Sequence, residues 1–95
     1  MRLAVLDLET QKSFRDVGRN KLHELKVSVA GWYEYATDAY LIFEEKEIPQ
    51  LEERLRQVDL VIGFNIKGFD LPVLEPYLLA AISDIPVFDM LEEIV

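Results

Sequence analysis

Ninety-five residues with a hydrophobic share of 51% make one globular domain, able to bury about 60 to 70% of its unfolded surface. The lack of cysteine excludes a disulfide framework and a thiolate metal site, and points to a reducing compartment. No apolar run could span a bilayer and no basic region precedes one, so the sequence predicts a soluble, cytoplasmic protein without a membrane partner.

The net charge of −8 weighs against a nucleic-acid partner, but the charge is unevenly spread. Lys12, Arg15, Arg19, Lys21 and Lys26 are half of the basic residues, opposed locally only by Asp16 and Glu24. That segment nets +3 and the remainder −11. A run of this kind is either a solvated loop or an anion-facing patch.

In chain order, Leu3–Leu8 is an apolar run broken only by Asp7, which predicts a strand buried on both faces and central in a sheet. Side chains alternate across a strand, so Asp7 and Glu9 share a face at its carboxyl end. Two carboxylates ~7 Å apart repel by roughly 2 kcal/mol at an effective dielectric of ~20. Either water solvates both, or a hard cation such as Mg²⁺ or Mn²⁺ offsets them. Thr10 to Leu25 is a polar connection with a helical turn expected over Asn20–Leu25. Phe14 there suits an apolar anchor or a base-stacking ring, and the lone His23 a surface position.

Lys26–Tyr35 alternates, and Ala39–Phe43 after the short link Ala36-Thr37-Asp38 completes an antiparallel hairpin. Its aromatic residues suit core and cross-strand packing. Pro49 opens a helix whose apolar stripe is Leu51, Leu55 and Val58, with Glu52 and Arg56 paired on the wet side. Leu60–Ile62 is a second buried strand, ended by Gly63. Phe64–Phe69 is a turn, and a helix follows from Asp70, burying Leu71, Leu74, Leu78 and Ile82, with a kink or delayed start at Pro76. Pro86–Phe88 is a last strand, and Asp89 with Glu92 opens a final helix as a capping box.

The predicted class is α/β, in the order β-β-β-α-β-α-β-α, with residues 1–95 as a single domain. If the first strand lies between the hairpin and Leu60–Ile62, the carboxyl ends of strands one and four open on one edge. Ligands bind beyond such ends in α/β sheets. Asp7, Glu9, Asn65 and Asp70 then meet there, although Asn65 also suits a turn and Asp70 an N-cap.

Leu6-Asp7-Leu8-Glu9-Thr10 and Val61-Ile62-Gly63-Phe64-Asn65-Ile66-Lys67-Gly68-Phe69-Asp70 resemble the first two motifs of the DEDD-type 3′–5′ exonucleases. Those enzymes belong to the ribonuclease H-like superfamily, and the element order matches the first two-thirds of their fold. The resemblance implies two-metal phosphodiester hydrolysis with Mg²⁺ or Mn²⁺, acting on the 3′ end of single-stranded DNA or RNA. Asp7 would bridge both cations, Glu9 would bind one and orient the attacking water, and Asp70 would support the other. Thr10, Lys12, Asn65, Lys67 and Phe69 would contact substrate. The family's third motif, a Tyr or His followed by an Asp on a further helix, is not found. His23 and Tyr77 have no carboxylate four residues on. That departure predicts an incomplete domain, weak cation binding without turnover, and self-association through the apolar segment Met90–Val95. The other readings are a non-catalytic module that binds nucleic acid or protein on the same fold, and a purely structural acidic domain.

Overall fold

The computed structural model describes residues 1–18 and 21–94, with Phe14 described by its backbone alone. The expected role of the Phe14 ring, the charge of Arg19, and the contributions of Asn20 and Val95 lie outside the described residues. Five strands form one mixed sheet: β1 (Leu3–Thr10), β2 (Val27–Glu34), β3 (Ala39–Glu44), β4 (Leu60–Gly63) and β5 (Val87–Asp89). Their order is β3-β2-β1-β4-β5, so β1 is central. It pairs antiparallel with β2 and parallel with β4, and β5 runs parallel to β4. Among the described residues there are four α-helices: α1 (Phe14–Val17), α2 (Ile48–Gln57), α3 (Leu71–Leu74) and α4 (Met90–Ile94). Among the described residues no helix is long and apolar enough to cross a membrane.

The core lies on one side of the sheet. Ala4, Leu6 and Leu8 of β1 join Ala30 and Trp32 of β2, Phe43 of β3 and Val61 of β4 in a cluster that α2 covers with Ile48, Leu51 and Leu55. Leu71, Val73 and Leu74 of α3 close the same cluster. Alternation sends Val5, Asp7 and Glu9 to the opposite face, where both acids are exposed. The expectation of a first strand buried on both faces is therefore corrected. Only its even positions are buried, because the described helices build their core on that side.

The pairing of β1 with β2 shifts register between Glu9 and Thr10, since Glu9 opposes Val29 and Thr10 opposes Val27. Ser28 is the extra residue of a bulge. It puts Val27 and Ala30 on the same buried side although they are three positions apart.

The helix expected from Asp70 to Ile82 is broken. A π-type turn (Ile66–Asp70) runs into α3, and tight 3₁₀ turns follow at Glu75–Tyr77 and Ile82–Asp84. Pro76 has no N–H to donate and its ring would strike the preceding turn, so α-helix cannot continue through it. Leu78 and Ile82 are accordingly only half-buried, whereas Leu71 and Leu74 are buried.

Glu52 also differs from expectation. It is 5% exposed, and its carboxylate accepts the backbone N–H groups of Leu79 at 3.0 Å and Ala80 at 2.9 Å. Arg56 stands 3.9 Å away as a secondary partner. Those amides follow α3 and its 3₁₀ turn and have no strand to pair with, so a buried carboxylate completes them. We expect Glu52→Gln, which replaces one acceptor oxygen by a donor, to lower stability by roughly 1–2 kcal/mol in urea denaturation. An unchanged midpoint would show that water serves those amides equally well.

Candidate functional site

The candidate site begins where β1 outruns β4. Their parallel pairing covers Leu3 to Val5 against Leu60 to Ile62, but β1 continues to Thr10. Beyond Val5 the N–H groups of β1 on that side have no strand partner. Asp70 supplies one: its Oδ2 accepts the Leu8 N–H at 3.2 Å in a buried contact. A carboxylate from 62 positions further along the chain is thereby seated against the backbone between Asp7 and Glu9.

The turn that delivers Asp70 is fixed by three devices. Asn65 takes a left-handed conformation (φ 54°, ψ 35°), which short polar side chains tolerate best after glycine. Its carbonyl accepts the Phe69 N–H at 3.0 Å. Gly68 permits the close approach of the Asn65 side chain, whose Oδ1 would lie 2.5 Å from any Cβ at that position. Asp89 is the third device. At the end of β5 it accepts the N–H groups of Asn65 at 2.8 Å and Lys67 at 3.1 Å. It also caps α4 through Leu91 at 3.0 Å. These bonds outweigh the penalty of burial and hold its carboxyl below the usual range. The expected capping box is only half present, because Glu92 instead pairs with Lys67 Nζ at 2.9 Å.

Asp70 is 5% exposed, and its pKa is pushed up to about 7. Burial is the main cause, and the negative charges of Asp7 and Asp89 add to it against the Leu8 N–H, which favours the ionised form. Near neutral pH the site holds a carboxyl group that loses its proton as pH rises.

The remaining expected residues are placed as follows. Asp7 lies close enough to Asp70 for its charge to act there, while Glu9 is exposed on the same face of β1. Among the described residues no group of three or more His, Cys, Asp or Glu side chains is arranged to hold a metal ion. Thr10 donates its hydroxyl to the Lys12 carbonyl at 2.9 Å, a local turn contact. Lys12 is exposed, Lys67 is engaged with Glu92, and Phe69 packs half-buried on the core. The basic connection is tied beside the site, since Gln11 and Lys12 donate their N–H groups to the carbonyls of Lys26 and Leu25.

Asp89 is the residue that sequence reasoning undervalued. Its signal was present, because it ends a parallel strand just as Asp7 nears the end of the first.

No family model matches the chain, and no curated protein matches it. Among solved structures, the family B DNA polymerase from the hyperthermophilic archaeon Pyrobaculum calidifontis is similar over 79% of this chain, with a TM-score of 0.62 and 19% identity. The chain spans 10% of that polymerase's length. At this identity the likeness is one of fold, a small α/β domain with a mixed five-stranded sheet.

Proposed function

We propose that the chain is a nuclease-type domain of ribonuclease H-like fold, directed at the 3′ end of single-stranded DNA or RNA. In this reading Asp7, Glu9 and Asp70 serve Mg²⁺- or Mn²⁺-dependent phosphodiester hydrolysis. The observation that carries the reading is the seating of Asp70 on the Leu8 N–H, beside Asp7. The fold likeness to part of a DNA polymerase supports association with nucleic acid.

Carboxylate oxygens suit hard cations, so Asp7 and Asp70 fit one such ion. Glu9 is not gathered with them into a three-donor set among the described residues. The residues thus fit a single, weakly held cation and not a complete two-metal centre. A bound cation supplies charge neutralisation and a more acidic water. The chain's own part is to present Asp7 in the open, to release the Asp70 proton, and to keep the turn rigid through Asn65 and Asp89. Thr10, Lys12, Asn65, Lys67 and Phe69 would contact substrate in this reading, Lys67 and Phe69 after leaving their present partners. Self-association through exposed Met90 and Ile94 of α4 belongs to the same proposal. A clean monomer by sedimentation at high concentration would remove it.

The test is a melt with and without Mn²⁺, followed by incubation with labelled single-stranded DNA and RNA. For a site held at about tenfold excess of cation we expect a Tm rise of roughly 5 °C, absent in Asp7→Asn. We expect no processive digestion by this chain, since general bases contribute ~10²–10⁴-fold and the third motif that would supply one is not found. Processive 3′–5′ digestion would show that the chain is a complete enzyme. No metal effect would favour the non-catalytic module.

A further inference from the structure

The odd-numbered positions of β1 build a sheet face that no described element covers. The register aligns Val5 with Tyr33 and Ile62, Tyr33 with Tyr40, and Ile62 with Phe88. The result is an apolar band across all five strands. Tyr40 is 82% exposed and Ile42 71%. Among the described residues no second layer covers this face.

The face has a shaped centre. Asp7 opposes Gly31, which opposes Ile42. Gly31 has no side chain to fill its place, and a depression of about 420 Å³ lies there, bordered by Val5, Asp7, Tyr33, Tyr40 and Ile42. The strand positions on this face bring three acids, Asp7, Glu9 and Glu44, and no Lys, Arg or His. Glu44, at the rim, is already paired with Lys46 at 3.8 Å and caps the turn after β3, which leaves Asp7 and Glu9 as the open charges. Tyr33 and Tyr40 pack with ring centroids 4.7 Å apart and add aromatic surface suited to a cation. A second copy laid face to face would set acids against acids, and without a bound cation a phosphate backbone would meet the same repulsion.

We propose that this face docks a basic amphipathic helix of a partner protein. A Leu or Ile knob enters the Gly31 notch, and flanking Lys or Arg side chains reach Asp7 and Glu9. The inference does not rest on the metal reading, because it uses Asp7 only as a charge and depends on Gly31.

The notch allows a clean test. A Cβ at Gly31 would meet only the Asp7 carbonyl oxygen, at an ordinary 3.6 Å, so Gly31→Val fills the depression and favours the strand. The probe is a synthetic helix of roughly 18 residues, with a Leu stripe at i, i+3, i+4 and i+7 flanked by Lys. Its counterpart carries Glu in place of Lys, and both are titrated into the labelled chain in cation-free buffer. The Lys peptide is expected to shift the amides of β1, β2 and β3 around Gly31. The Glu peptide and the Gly31→Val variant are each expected to bind at least about tenfold more weakly, with the variant's melt undiminished. Equal binding of both peptides, or binding unaffected by Gly31→Val, overturns the proposal. So does a dimer that Gly31→Val dissociates, or a single-stranded oligonucleotide that shifts the same amides.

Discussion

From about pH 4 to about pH 7 the protein is expected to lose roughly 2 kcal/mol of stability as pH rises, and Asp70→Asn to abolish that loss. The sign follows from proton binding. Asp70 titrates at 3.8 when unperturbed and at about 7 in the fold, so between those values the native state keeps a proton that the unfolded chain has released. Stability is fully present below the lower value and is lost as pH climbs through the upper one. The whole interval corresponds to at most about 4 kcal/mol, of which about half is the expected loss.

Other carboxylates act with the opposite sign. Burial opposes ionisation of Glu34, but Trp32, Arg54 and Thr37 outweigh it and hold its pKa down. The N–H of Ala80 is the main cause of lowering at Glu52. Their contributions are present above the ordinary 4.5 and vanish as pH falls through the lowered values. Stability should therefore peak in mildly acidic solution. Urea midpoints across this range decide the matter: a flat profile in the native chain, or a slope that survives in Asp70→Asn, would refute the assignment.

Gly63→Val is expected to destabilise the fold by about 3 kcal/mol, with Gly63→Ala falling between it and the native chain. Gly63 ends β4, and a Cβ there would lie 3.0 Å from the Ile66 Cβ and 3.2 Å from the Leu6 carbonyl oxygen. Neither can yield cheaply, since one stands on the π-type turn and the other on the central strand. Relief must come from displacing the turn, which carries Asp70 off the Leu8 N–H. The variant should thus lose both stability and the pH slope assigned to Asp70. Loss of stability with the slope intact would mean that the strain is absorbed elsewhere.

Local patterning made part of this legible from the sequence. The shared face of Asp7 and Glu9 needs only the two-residue period of a strand, and Leu6 and Leu8 are buried opposite them. The mixed α/β sheet followed from short apolar runs separated by one helical stripe. What escaped depends on distant partners. Glu52 and Arg56 have the spacing of a surface pair, but the amides that hold Glu52 lie 27 and 28 positions away. Asp89 reads locally as a helix cap, while two of its three N–H donors come from a turn 22 and 24 residues earlier. The bulge at Ser28 inverts the alternation of β2, and no residue type there announces it.

The central position of β1 also orders the assembly of the chain in time. Its partner on one side, β2, is followed at once by β3, and their closing pair, Glu34 and Ala39, is five positions apart. On the other side Leu3 must wait for Leu60, 57 positions later, a closure costing ~2 kcal/mol more in chain entropy. The three-stranded meander thus has the cheap local contacts, and a chain emerging from the ribosome completes it first. Until Leu60 arrives, β1 is an open edge whose backbone can pair with any extended strand nearby.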